Sequence, residues 1–168
     1  YRSWVIVNFL LSTGIRQNSL INIKIKDLDF DNDMVYINTT KNRKSLIIPL
    51  NEDIVKILHE YLKYRGGGSE DWLFCSIYGE KMTKGANYTA LWDYSHSRGL
   101  DKTGVHRYRH TFAKKWVTMG GSIVTLQKIL GHSSLAITEG YLNMLKKDMN
   151  EINIIRSLKQ ERMQIVRH

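Results

Sequence analysis

The stretch Val105-His106-Arg107-Tyr108-Arg109-His110-Thr111-Phe112-Ala113 constrains this chain most tightly. Advanced by about 100° per residue on a helix, His106, Arg109, His110, Ala113 and Val117 share one face, with Phe112 and Trp116 beside it. Arg107, Thr111 and Lys114 fall elsewhere, toward solvent. An arginine and two histidines are thus predicted on the inward side of an amphipathic helix, where charge is costly unless paired. An anion is one possible partner. A structural ion pair, or a core histidine satisfied by its neighbours, is the alternative. Zinc is a third reading, because His106 and His110 are four residues apart. The helical zinc-hydrolase pattern needs a glutamate directly after its first histidine. Arg107 stands there and would repel a metal ion, so no metal site is expected.

Charge narrows the choice of partner. Lys and Arg number 25 against 16 Asp and Glu, a net charge of +9. That excess favours a polyanion, nucleic acid first and an acidic membrane surface second. No apolar run is long enough to span a bilayer, and no secretory signal pattern opens the chain. Cys75 is the single cysteine. It leaves no disulfide framework, which suits a reducing cytoplasm. Within Trp72-Leu73-Phe74-Cys75 it is expected to be a buried, inert thiol. With 168 residues and 42% hydrophobic content, the chain can build a sizeable core. It starts without Met and inside a predicted helix, as a piece of a longer protein would.

Residues 1–12 are dense in apolar side chains and predict a core helix. Ser12-Thr13-Gly14 closes it, since glycine suits the left-handed position past a helix end. A short helix through about Ile23 follows, with Arg16 at its start. An arginine at that junction is either a surface charge or an anion clamp beside exposed amides. After turn-rich residues 26–33, Met34–Asn38 reads as a strand and Leu46–Leu50 as its return. The polar link between them carries Lys41, Arg43 and Lys44. This basic hairpin tip is either solvated or in reach of a phosphate backbone.

Asn51 caps the next helix, whose stripe is Ile54, Ile57, Leu58, Tyr61 and Leu62. The loop at Gly66-Gly67-Gly68 breaks it and lacks the Lys-Ser/Thr ending of a phosphate loop. A helix from Thr83 to about Arg98 carries Tyr88, Leu91, Trp92 and Tyr94. Past the central stretch, Ser122 caps a helix with Val124, Leu126, Ile129 and Leu130 inward. Gly131 ends it, and His132 sits in the turn beyond. Leu135 to about Leu145 forms another helix, with Tyr141. Residues 146–168 read as an amphipathic helix through Met149, Ile152, Ile155 and Leu158, which must lay its stripe on its own domain or a neighbour. The fold class is mostly α with a small β-sheet or hairpin, an α+β domain.

Five pieces then line up in order. They are Thr13-Gly14-Ile15-Arg16, the basic hairpin at Lys41, His106-Arg107-Tyr108-Arg109-His110-Thr111-Phe112-Ala113, Leu130-Gly131-His132-Ser133-Ser134, and Tyr141. The set resembles the catalytic domain of the tyrosine recombinase (phage integrase) family over residues 1–145. It leaves 146–168 as a C-terminal helix or tail, on the same domain or docked on a neighbour. The resemblance implies that Tyr141 is a nucleophile that becomes linked to a 3′ phosphate. Arg16 and Arg109 would clamp the non-bridging oxygens, and Lys41 would protonate the leaving 5′ oxygen. His106 would assist proton transfer or position the phosphate, and His132 would donate a hydrogen bond to it. Arg43 and Lys44 would touch DNA nearby. No metal or cofactor is implied.

The resemblance also implies double-stranded DNA as the partner and a homotetramer on DNA for a full-length protein, the isolated domain being free to stay monomeric. It places N-terminal DNA-binding domains outside this stretch. The setting implied is the bacterial cytoplasm, at the nucleoid when on DNA, with integration or excision of a mobile element or phage as the outcome. Type IB topoisomerase-like relaxation uses the same chemistry on one duplex, and a DNA-binding module without catalysis is the further alternative. A basic helical domain for RNA or lipid would not bring Arg16, Arg109 and Tyr141 together. His110 is expected to be a buried support, and Tyr108 to face the core. Gly140 stands where the family often has a bulkier residue, and would loosen the helix carrying Tyr141.

Overall fold

Val5, Ile6, Phe9 and Leu10 recur at helical spacing. In the computed structural model they are the fully buried face of helix α1, Arg2–Thr13. The structure describes residues 1–38, 45–131, 136, 138–141, 143 and 146–147. The chain divides into two compact units, residues 1–113 and 114–168.

In the first unit α1 is the central element. Helix α2, Gln17–Leu20, follows it and is shorter than the helix expected through Ile23. A single 3₁₀ turn, Ile25–Asp27, leads into a three-stranded antiparallel sheet. Its strands are β1 (Leu28–Asp29), β2 (Met34–Asn38) and β3 (Ser45–Pro49), in that order. Val35 pairs with Ile48 and Ile37 with Leu46. Val35, Ile37 and Ile48 are buried, while Ile47 is half exposed, which is the alternation of a one-sided sheet. Two strands were read from sequence; β1, two residues long, lies in the stretch read only as turns.

Helix α3, Glu52–Arg65, starts as expected, with the Asn51 side chain accepting the Ile54 N–H at 2.9 Å. Its Ile54, Leu58 and Tyr61 are buried, and the helix packs on α1. Phe74 joins this core edge-on to Phe9, with ring centroids 5.6 Å apart. Three residues later the chain reverses through an exposed turn at Ile77 and Tyr78. Cys75 is half-buried rather than buried, because it lies where this segment leaves the core. Helix α4, Lys84–His96, is capped by the Thr83 hydroxyl and packs on α1. Its inward side is narrow: Asn87, Leu91 and Ser95 are buried, whereas Tyr88 and Trp92 are exposed.

Helix α5, Val105–Thr118, crosses the boundary between the units. In the second unit its last turn is closed by Trp116, whose indole N–H donates to the Ser122 carbonyl at 3.0 Å. The indole lies where a side chain on Gly121 would be. Ser122 caps helix α6, Ile123–Leu130, and Gly131 ends it in the left-handed conformation, as expected. Leu126, Ile129 and Leu130 are buried; Val124, expected inward, is exposed, because α6 buries only the arc around Leu126. Residues 136, 138–141, 143, 146 and 147 are helical. The stripe read through Met149, Ile152, Ile155 and Leu158 lies outside the described residues. Among the described residues no helix is long and apolar enough to cross a membrane.

Candidate active site

The site begins where α1 ends. Gly14 takes φ 60° and ψ 18°, and its N–H closes the helix on the Leu10 carbonyl at 2.9 Å. A left-handed residue reverses the chain at little cost only as glycine. Two residues on, Arg16 is the exposed N-cap position of α2, so it lies within about 7 Å of Gly14 along the chain. The side-chain amide of Gln17 donates to the Lys84 carbonyl at 2.8 Å and fastens this turn to the start of α4.

Arg109 reaches the same turn from α5. It is only 6% exposed, and its Nη1 donates to the Gly14 carbonyl at 2.8 Å. The carbonyl end of a helix carries partial negative charge, so a guanidinium is stabilised there. One turn further on, the Phe112 ring covers Gly14, and a Cβ on that glycine would overlap it. Two sequence motifs 95 residues apart are thereby brought to one place, Arg109 bonded to the turn that leads into Arg16.

The buried arc of α5 is Val105, Arg109, Phe112, Ala113 and Val117. His106 and His110, expected on that inward face, are exposed. Each follows a buried residue by one position, so each is turned about 100° away, onto the rim. His110 is therefore not a buried support. His106 stands at the open edge of the first turn of α5, three residues before Arg109. Tyr108 is half-buried and turns toward α4, where its hydroxyl lies 2.9 Å from Ser95 Oγ and 3.1 Å from Thr103 Oγ1.

Tyr141 belongs to the second unit. It lies in the helical run 138–141 and is 8% exposed, and Thr138 one turn before it is fully buried. A Cβ on the adjoining Gly140 would meet open space among the described residues. Lys41, Arg43, Lys44 and His132 lie outside the described residues. Strands β2 and β3 are paired as far as Asn38 and Ser45, and the basic link joins them there. Among the described residues, no three His, Cys, Asp or Glu side chains converge to hold a metal ion. Neither the Arg109 bond to Gly14 nor the Ser95–Thr103–Tyr108 cluster was read from sequence. The only signal for the first was a glycine at a helix end.

Residues 1–148 match the sequence profile of the phage integrase family. The chain is 32% identical over 145 residues to the tyrosine recombinase XerA of Saccharolobus solfataricus, covering 86% of this chain and 47% of that protein. It resembles a crystal structure of XerA recombinase with a TM-score of 0.77 at 34% identity, covering 83% of this chain and 51% of that one. It also resembles the XerH site-specific recombinase bound to palindromic difH substrate, a post-cleavage complex. There the TM-score is 0.77 at 27% identity, covering 93% of this chain and 46% of that one. The chain spans about half the length of the curated relatives it matches.

Proposed function

Since the chain belongs to the phage integrase family of tyrosine recombinases, we propose that it is the catalytic part of a site-specific DNA recombinase. It cuts and rejoins double-stranded DNA through a 3′-phosphotyrosyl intermediate. Residues 1–145 form the catalytic domain, and 146–168 form a C-terminal helix that lies on the same domain or a neighbouring protomer. The observation that carries this reading is the bond from Arg109 to Gly14, which brings a buried guanidinium to the turn that bears Arg16.

In this reaction the Tyr141 phenolic oxygen attacks the scissile phosphorus. The bond to the 5′ oxygen breaks as the tyrosyl–phosphorus bond forms. The phenol gives up its proton with assistance from His106, and Lys41 supplies one to the departing 5′ oxygen. The attack of that 5′ hydroxyl on the phosphotyrosine reverses the step and restores the strand. One phosphoester replaces another, so no oxidant, nucleotide or metal is needed to balance it.

Arg16 and Arg109 hold the non-bridging oxygens as charge grows on the five-coordinate phosphorus. A guanidinium is suited to this by its planar fork and permanent charge. A cation fixed to a backbone carbonyl before the reaction has little reorganisation left to undergo. His132 donates a further hydrogen bond to the phosphate, and Arg43 and Lys44 contact DNA beside Lys41. A full-length protein would act as a homotetramer holding two duplexes, in the bacterial cytoplasm at the nucleoid. Its outcome would be integration or excision of a mobile element or phage.

A nicked duplex that releases a short fragment bearing the free 5′ hydroxyl after cleavage traps the covalent complex. With this substrate the protein is expected to give a protease-sensitive, slowly migrating DNA band in the presence of EDTA. Failure to form it with DNA bound, in a protein carrying its preceding domains, would leave a DNA-binding module. Relaxation of a supercoiled plasmid without exchange between paired sites would instead identify a topoisomerase.

A further inference from the structure

Three hydroxyls, from α4, α5 and the loop between them, meet in one cluster. Ser95 Oγ, fully buried on α4, lies 2.7 Å from Thr103 Oγ1 and 2.9 Å from the Tyr108 hydroxyl, and those two are 3.1 Å apart. Their protons can be assigned. Ser95 donates its own to the Leu91 carbonyl at 2.8 Å. Its oxygen then has two lone pairs to offer, and Tyr108 and Thr103 each donate to one. The cluster is closed, and all three hydroxyls are satisfied.

We propose that Tyr108 is a positioning residue for the phosphate-binding face of α5, acting through this cluster. Arg109 ties α5 to the end of α1, and Tyr108, the residue before it, ties α5 to α4. Consecutive side chains leave a helix about 100° apart. The Arg109 bond and the Phe112 ring hold the helix on the Gly14 side, and a second bond at that angle restrains its roll from the α4 side. A roll of about 10° moves an atom about 6 Å from the axis by about 1 Å. An error of that size in a group meeting a transition state is enough to cost about a hundredfold in rate. Arg109 and exposed His106 are the groups that such a roll would displace.

This inference rests on the recombinase reading, and the test separates the two. In the full-length protein, Tyr108→Phe removes only the hydroxyl. At saturating nicked duplex, the first-order rate of covalent complex formation is expected to fall about tenfold, the scale of one neutral hydrogen bond. DNA affinity should stay within about twofold, since no DNA contact is removed. A rate equal to that of the parent overturns the inference. So does an equal loss of rate and affinity, which is the mark of general destabilisation. If the parent itself traps no DNA, the recombinase reading is what has failed, and amide hydrogen exchange still decides the tether. Exchange at residues 108–112 should rise about tenfold in Tyr108→Phe with α3 unchanged. Unchanged exchange overturns the tether.

Discussion

The Phe112 ring rests on Gly14 so closely that a methyl group on that glycine would overlap it. Gly14 also holds φ at 60° and offers its carbonyl to Arg109. Gly14→Ala therefore meets two penalties. The left-handed conformation costs about 1 kcal/mol, and the overlap adds about 1–3 kcal/mol. Urea unfolding should show a loss of about 2–4 kcal/mol, part of which returns when Phe112 is cut back to Leu in the same chain. A loss below about 1 kcal/mol would contradict the packing described.

Asn87 is fully buried on α4, and among the described residues neither polar atom of its amide has a hydrogen-bond partner. Leaving such a group unsatisfied costs about 1–3 kcal/mol. Asn87→Leu keeps the branched shape and removes the polar atoms, so it should stabilise the fold on that scale, read as a higher midpoint of thermal unfolding. A lower midpoint would mean that the amide has a polar partner in solution.

Burial pushes the Tyr61 phenol up to about 12 from its ordinary 10.0, with Cys75 adding to the rise and Arg65 and Arg2 opposing it. The folded state thus favours the protonated phenol. Its contribution is complete below about pH 10 and is lost as pH rises toward about 12. Tyr61→Phe should lose less stability than the parent across that window in paired alkaline denaturation curves. Parallel curves would contradict the burial of the hydroxyl.

Much of the scaffold was legible because it is periodic. Val35, Ile37 and Ile48 alternate, Ile54, Leu58 and Tyr61 recur at helical spacing, and Asn51 and Ser122 cap the helices that follow them. Strand β1 was missed because two residues cannot show a period. The inward face of α5 holds Arg109, Ala113 and Val117 as expected but is turned toward Val105 and Phe112, which leaves His106 and His110 exposed. A helical wheel groups residues, but the partner packed on the helix decides which arc is covered. That partner is the Gly14 turn, far away in sequence. Ser95 and Thr103 escaped notice for a related reason: small hydroxyl residues carry no hydropathy signal, and only the fold brings them to Tyr108.

The assignment of the nucleophile is open to a direct measurement. The full-length protein and its Tyr141→Phe variant are incubated with the nicked duplex, and any covalent product is digested and mapped by mass spectrometry. The parent should carry the nucleotide adduct on the peptide containing Tyr141. The variant should bind the duplex equally well and form no adduct. An adduct on another residue, or one that persists in Tyr141→Phe, would contradict the mechanism.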